Sequence, residues 1–400
     1  MAGVSPARRA AYETLLRVFE QDAYADRAFR TAARELDERE RAFAQRLAYG
    51  AVQRVRTLDY AIHELGKRPV RKLDPPVRAA LRLGAYQLGY TDTAPHAAAN
   101  ESVELVRRAR LERAVPFTNA VMRRLAAGIR GLLNSLPDGA LKESYPDWIH
   151  ETFVRDLGAA GALALERAMN EPLETVVRGE PVGEPTDVPG AYRVDRVDER
   201  LVAAGRIWPQ SRGSQVAGLA VGARDGERIL DLCAAPGGKT GQLAGEVTAV
   251  EIDPGRASEL RANLATMGRG DVAVVEADGT DLPPELTGFD RVLLDAPCSG
   301  LGVLSQRPDL RWRARPLPEL QLALLRAAAE RVRPGGTIVY SVCTVNADEN
   351  EAVVDASGLE VDGTLAADWP QFVHPRRPEF LLTLPHVHGT SGFFVSRLRA

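Results

Sequence analysis

The chain has 400 residues, 45% of them hydrophobic and 26% charged, with a formal net charge of −3; this is ordinary for a soluble globular protein long enough for two or three buried cores. No stretch approaches the roughly 18 to 20 uninterrupted apolar residues of a membrane span, and the amino terminus, MAGVSPARRAAYETLL, lacks the apolar core of a signal peptide, so a cytoplasmic protein with no membrane partner is expected. The three cysteines, Cys233, Cys298 and Cys343, are too few and too far apart for a disulfide framework or a zinc site, and His386 and His388 would share a face only in a strand, so no metal is expected.

Residues 1–138 hold 24 Lys+Arg against 16 Asp+Glu, a net of +8, and the remainder holds 27 against 38, a net of −11. The basic excess suits contacts with phosphates, which gain electrostatic attraction and release counterions; a solvated helical surface would carry the same composition. From Pro6 to about Ala127 apolar residues recur at three- and four-residue spacing: Leu15, Val18 and Phe19, then Phe43, Leu47 and Val52, then Leu58, Ile62 and Leu65. That pattern predicts an all-helical bundle. Pro69, Pro75 and Pro76 break it before Val77, Leu81, Ala85 and Leu88 begin another helix, and Pro95 and Pro116 mark further turns. The Pro, Asp and Gly cluster at Leu136 to Gly139 marks the first boundary. Residues 139–213 read as a small mixed connector with short β-like pieces, ETVVRG and AYRV, around the turn-rich EPVGEPTDVPGAY. From residue 214 to 400, short apolar runs (RILDL, TAVEI, VAVVEA, RVLLDA, TIVYSV) alternate with helical stretches, as in a parallel sheet with crossover helices.

The run ERILDLCAAPGGKTGQLA has the order strand, glycine-rich turn, helix start. In doubly wound α/β domains a cofactor binds at the carboxyl ends of the strands, where glycine lets the backbone come close. Glu251 ends the next strand and suits ribose hydroxyls; Asp278, after VAVVEA, suits the exocyclic amine of an adenine. The turn matches neither G-x-G-x-x-G nor the phosphate-binding G-x-x-x-x-G-K-[ST], whose first glycine would fall at Cys233. S-adenosylmethionine, which has ribose and adenine but no phosphate, fits better than a nucleotide triphosphate.

The fourth and fifth strands run into DAPCSG and YSVCTVNADENE, each with a cysteine just past the strand end. A lone buried cysteine is ordinarily a small hydrophobe; here two converge on one cleft. Carbon 5 of cytosine is too weak a nucleophile to attack a sulfonium methyl, and a thiolate added at carbon 6 makes it an enamine-like carbon that can.

The sequences DLCAAPGGKT, LLDAPCSG, RPDLRW and YSVCTVNADENE resemble the signature of the RNA cytosine-5 methyltransferases of the NOL1/NOP2/Sun family. The resemblance implies a Rossmann-like, S-adenosylmethionine-dependent catalytic domain over residues 214–400. It also implies Cys343 as nucleophile, Cys298 as the cysteine that assists product release, and Asp295 as the carboxylate contacting cytosine beside the cofactor. Cofactor contacts fall on Cys233, Ala234, Ala235, Pro236, Gly237, Gly238 and Lys239, with Glu251, Asp278 and Asp295. PHVHGTSGFFVSRL is similar to the family's last hairpin. YGAVQRVRTLD, LRLGAYQLGY, PHAAANESVELVRRA and FTNAVMRRL resemble the RNA-binding domain of the antitermination protein NusB, over residues 1–138. The fusion is the arrangement of bacterial enzymes that methylate 16S ribosomal RNA, and implies 16S rRNA, free or in a partly assembled small subunit, as partner; a monomer is expected, although the sequence itself leaves oligomeric state open. Val342, Arg307, Glu251 and Ser211 depart from residues common in the family (Thr, His, Asp and Asp).

Two rivals are weaker. A methyltransferase of amino nitrogens would carry Asn/Asp-Pro-Pro-aromatic where this chain has DAPC, and a non-catalytic assembly factor would not need both cysteines and the cofactor turn. Arg178 and Arg311 are candidate RNA contacts by resemblance, although surface or ion-pair roles are commoner; Trp312 could stack on a base, although packing is the usual role of such an aromatic.

Overall fold

The computed structural model describes residues 3–400 and divides into two compact units. One comprises residues up to Asn170 together with Leu304–Arg313; the other comprises Glu171–Val303 and Ala314–Ala400.

The first unit is helical. Its long helices are Pro6–Glu20, Ala25–Ala32, Glu38–Gln53, Val55–Gly66, Pro75–Tyr90, Pro95–Arg108, Val115–Ser135 and Asp147–Ala168. The apolar spacing translates into burial: Leu15, Leu47, Val52, Leu58, Ile62, Val77, Leu81 and Ala85 are all at most 2% exposed in one core. Pro75, Pro95 and Pro116 lie in the first turns of helices rather than in the turns between them, where a missing N–H costs nothing. Part of the stretch read as a mixed connector is helical. Asp147–Ala168 runs through Gly158, whose φ of 74° interrupts the helical backbone, and buries Ile149, Phe153 and Leu165 within the first unit. Glycines at 158 and 161 dilute the helical pattern, and the packed partner supplies the stability that propensity does not.

The second unit holds two sheets. The smaller consists of β1 (Val176–Gly179), β2 (Glu184–Pro185), β3 (Ala191–Arg193) and β4 (Ile207–Pro209), in the order β2-β3-β1-β4. The larger consists of β5 (Arg228–Leu232), β6 (Glu246–Glu251), β7 (Ala273–Glu276), β8 (Phe289–Asp295), β9 (Val332–Val342), β10 (Glu360–Val361), β11 (Leu381–Thr383) and β12 (Phe393–Arg399). Its order is β10-β12-β9-β8-β5-β6-β7, with β11 paired to β12. Strands β7, β6, β5, β8 and β9 are parallel, and β12 returns antiparallel to β9, so the expected closing hairpin forms as β11 and β12. Ile229, Leu230, Val292, Leu293 and Leu294 are fully buried, as expected for strands covered on both faces.

Register decides where the chemistry gathers. Leu232 lies opposite Val250 on one side and Leu294 on the other, and Leu294 lies opposite Tyr340. The next residues, Cys233, Glu251, Asp295 and Ser341, therefore emerge in one row at the carboxyl edge. Chain order also reverses there, β6 and β7 extending from one side of β5 and β8 and β9 from the other, which opens a crevice at the strand ends.

Candidate active site

The turn after β5 is bound tightly from below. Cys233 takes a φ of 61°, Ala235–Pro236 is a cis peptide, and Gly237 has a φ of 101°. A side chain at 237 would be strained by that φ and would bring its Cβ to 2.7 Å of Leu260 Cδ1. Ala234 N donates to Val250 O (3.0 Å), Arg256 Nη2 to Ala235 O (2.7 Å) and Asn263 Nδ2 to Pro236 O (2.8 Å). From the small sheet, Arg178 donates to Gln210 Oε1 (2.8 Å) and Gly238 O (3.2 Å), and burial pushes its guanidinium down to about 10. Arg178 thus backs the cofactor turn and, among the described residues, has no carboxylate partner.

The expected helix start after this turn is a single 3₁₀ turn, Thr240–Gln242, leading straight into β6. A phosphate site of the usual kind needs the amino end of a helix, and Lys239 is engaged elsewhere, so the local structure suits a ligand without phosphates. Glu251 is 2% exposed. Its Oε1 accepts from Asp253 N at 3.1 Å, while Oε2 is buried with no hydrogen-bond partner, the nearest cation being Arg256 Nη1 at 3.6 Å. A buried carboxylate oxygen lacking a donor is costly and fits the hydroxyls of a ribose. Asp278 lies two residues beyond β7 and is exposed; Thr280 N–H and Oγ1–H bind its Oδ1 at 2.8 and 2.7 Å and hold its carboxyl below the usual range. Its Oδ2 remains available for an amine donor. Cys233 is unlike the other cysteines: burial, with the charges of Glu251, Asp231 and Asp295, pushes its thiol up to about 12, so it stays protonated and contributes shape.

The other two cysteines meet. Ala296 N–H···O Ser341 (2.9 Å) and Gly302 N–H···O Cys343 (3.0 Å) bind the loops after β8 and β9 together, and Cys298 Sγ lies 3.4 Å from Cys343 Sγ. The pair is polarised. The Cys298 thiol hydrogen bond and the positive Lys239 hold Cys343 below an ordinary thiol against its burial, whereas the same contact, burial and Glu349 push Cys298 up. Cys343 is the sulfur that more readily carries the negative charge, and Cys298 the one that keeps its proton. Alongside, Asp295 accepts from Lys239 Nζ (2.6 Å) and Ser341 Oγ (2.8 Å).

One residue of this region was not singled out from sequence. Glu349, fully buried, accepts from Ser299 N (2.9 Å), Leu317 N (3.1 Å) and Gln321 Nε2 (3.0 Å), and from the Ser299 hydroxyl. It pins the backbone immediately after Cys298. It stands in the acidic run NADENE, where nothing local marks one carboxylate as buried. Val342 is fully buried, so Cys343's polar neighbour is the other cysteine rather than a hydroxyl at 342. Ser211 caps the helix Arg212–Ala220 by accepting from Ser214 N, a task an Asp would also perform.

Arg307, Arg311 and Trp312 belong to the helical unit. Arg311, read from sequence as a surface or ion-paired residue, is fully buried; it lies 3.9 Å over the Tyr145 ring and donates to the carbonyls of Gln53, Glu143, Ser144 and Met169. Trp312 donates from Nε1 to Val52 O at 2.7 Å and packs against the helical core, which removes it as a free stacking platform. Arg307 lies between Asp26 (3.8 Å) and Asp309 (3.6 Å).

Comparison with known proteins gives two family matches: "16S rRNA methyltransferase RsmB/F" over residues 219–399 and "NusB family" over residues 5–127. The chain is 33% identical to a probable ribosomal RNA small subunit methyltransferase B of Synechocystis sp., over 98% of this chain and 99% of that protein. It is 35% identical to ribosomal RNA small subunit methyltransferase B of Thermus thermophilus, over 90% and 89%. Among solved structures, PH0851 shares the fold over the full length of both chains, with a TM-score of 0.81 at 23% identity.

Proposed function

We propose that this chain, which belongs to the RsmB/F family of 16S rRNA methyltransferases, methylates carbon 5 of a cytosine in 16S rRNA through a covalent adduct on Cys343. It is an S-adenosylmethionine-dependent rRNA methyltransferase with an RNA-binding, NusB-like helical region. The observation that carries the finer reading is the polarised sulfur pair, 3.4 Å apart, beside the Lys239–Asp295 ion pair at the strand ends.

When bound, S-adenosylmethionine supplies an electrophilic methyl group on a positively charged sulfur. The cofactor turn, Cys233 to Lys239, would hold it with its backbone, Glu251 would take the ribose hydroxyls and Asp278 the adenine amine. The Cys343 thiolate adds to carbon 6 of a cytosine taken out of its stack, and Asp295, oriented by Lys239 and Ser341, accepts from the amine edge of the ring. Carbon 5, now enamine-like, would take the methyl group as its bond to the sulfonium sulfur breaks, leaving S-adenosylhomocysteine. Loss of the carbon-5 proton to water and expulsion of the Cys343 sulfur as thiolate restore the aromatic ring, and Cys298, in contact with that sulfur, assists the release.

In this reading the helical unit, up to Asn170 with Leu304–Arg313, grips RNA, the small sheet within residues 171–213 connects, and the rest of the second unit catalyses. The protein works without a metal, as a monomer in the cytoplasm, on 16S rRNA either free or in a partly assembled small subunit. The test is transfer of labelled methyl to protein-free 16S rRNA with base-resolved detection of 5-methylcytosine. A single modified loop cytosine is expected; transfer confined to tRNA or 23S rRNA would overturn the substrate, and cofactor binding with no transfer to any RNA would overturn the reaction.

A further inference from the structure

The helical unit carries a basic recess whose cations are left without acidic partners. The link between the helices Val55–Gly66 and Pro75–Tyr90 reads KRPVRK, with Lys67, Arg68, Arg71 and Lys72, no carboxylate, and two of the four lysines of the whole chain. Lys67 takes a left-handed φ of 55°, Val70 is buried, and all four cations are exposed. Arg68 and Lys72, with Arg113 and Phe117, line a cavity of about 340 Å³ whose lining includes one carboxylate, Asp74. The Arg68 guanidinium lies 5.4 Å from the centre of the Phe117 ring, which is half-buried, packing in part against the helical core and in part lining the cavity, as Trp312 does not. The two helices that begin at this cavity, Pro75–Tyr90 and Val115–Ser135, have no acid in their first turns to offset the charge.

Elsewhere in the unit many arginines are neutralised, as in Arg8–Glu101 (2.9 Å), Arg78–Glu20 (2.6 Å) and Arg82–Asp59 (2.7 Å). Two other cavities make the same contrast. In one, of about 490 Å³, Arg130 is engaged by the carbonyls of Leu88 and Thr91 and lies 4.0 Å from Asp92. In the other, Arg397 is paired with Asp368 at 2.9 Å. Among the described residues Arg68, Lys72 and Arg113 have no ion-pair partner. Like charges held together without counter-charge repel one another within a screening length of about 8–10 Å, and a polyanion relieves that repulsion.

We propose that this recess is a binding site for single-stranded RNA, in which Arg68, Lys72 and Arg113 hold consecutive phosphates and the Phe117 face receives an unpaired base. Cations that track a backbone beside an aromatic face are the combination single strands use; an acidic protein surface would use the cations and gain nothing from the ring. The proposal rests on reading the chain as an RNA methyltransferase and adds where on the helical unit the RNA is held.

The experiment measures anisotropy of a short, unstructured, fluorescein-labelled oligouridine titrated with the full-length protein across a salt series. Joint replacement Arg68→Ala, Lys72→Ala and Arg113→Ala is expected to raise Kd about tenfold or more. It should also make the slope of log K against log salt shallower by about 2, since each phosphate contact on a single strand contributes roughly 0.7. Phe117→Leu should weaken binding about fivefold, by loss of stacking, with the slope unchanged. Arg34→Ala, Arg39→Ala and Arg46→Ala together remove the same charge from other exposed positions and should leave binding near wild type. Wild-type affinity and slope in the recess variant would overturn the proposal, as would an equal loss in the control or displacement of poly-glutamate, but not RNA, by the recess substitutions. Oligouridine binding requires neither methyl transfer nor a 16S sequence. Intact methylation of 16S rRNA with no recess effect overturns this site alone; a recess effect without methylation overturns the functional reading alone.

Discussion

Each unit holds a cation largely out of solvent, Arg311 fully buried and the Lys239 side chain 11% exposed, and the two are used differently. Lys239 faces the carboxylate of Asp295 at 2.6 Å, and that carboxylate is shared with Ser341 one residue from Val342 and two from Cys343. Arg311 is surrounded by backbone carbonyls at 3.1–3.4 Å and by the Tyr145 ring, with no carboxylate in hydrogen-bond contact. Carbonyls take both Nη atoms of the guanidinium and a ring covers it; its Nε is buried without a hydrogen-bond partner, so no donor faces a cleft. An ion pair at the open ends of strands keeps lone pairs and field directed at the neighbouring sulfurs. Burial of a charged group therefore marks a reactive site only where the partners leave valences open toward a cleft.

That contrast can be broken most sharply at the sulfurs. Cys343→Ala should lower methyl transfer below about one-thousandth of wild type while calorimetry still detects S-adenosylmethionine binding; substantial turnover would remove the nucleophile from the scheme. Cys298→Ala should allow one addition per enzyme and stall, so that a protein–RNA adduct survives denaturing electrophoresis. Without the Cys298 hydrogen bond that favours the Cys343 thiolate, adduct formation in this variant should also need a higher pH. On the other side, Arg311→Met should remove a donor from four carbonyls, of which those of Glu143 and Met169 keep Asn170 Nδ2 and Gln53 Nε2, and destabilise the helical unit by about 2–4 kcal/mol, read by urea unfolding at 222 nm. An unchanged midpoint with lost RNA affinity would make Arg311 a contact and erase the contrast.

The smallest effect expected is a pH dependence. Burial first, with the Asp295 charge, pushes Asp231 up to about 7 from 3.8 against the Thr240 hydrogen bond. The folded state then holds a proton the unfolded state has released, so the stability due to this group is present below pH 4, falls between about pH 4 and 7, and is flat above. Asp231→Asn keeps the shape without the ionisation. It should gain on the order of 1–2 kcal/mol at pH 8 relative to pH 4, less than the ~4 kcal/mol that the full rise to about 7 would give without relaxation. Parallel denaturation curves for the two proteins across that range would refute it.

Some of this was legible locally. Apolar spacing marked the helical stretch from Pro6 to about Ala127 because amphipathic helices need one face in a core, and short apolar runs marked β5, β6, β8 and β9 because parallel strands are covered on both sides. Cys233, Glu251, Asp295 and Cys343 could be put at strand ends because each ends or directly follows an apolar run. The helix Asp147–Ala168 was obscured by its glycines, and the 3₁₀ turn after Lys239 by a sequence that reads equally well as a helix start.

What the sequence by itself determined is therefore the order of elements and which residues stand at their ends, since both follow from periodicity and turn chemistry along a few neighbouring residues. Tertiary structure alone decided that sulfurs 45 residues apart lie at 3.4 Å, that Glu349 rather than its acidic neighbours is pinned beneath Cys298's loop, and that Leu304–Arg313 packs into the helical unit. Those outcomes depend on strand register, desolvation and the pairing of distant polar groups, which are properties of contacts that a local pattern does not contain.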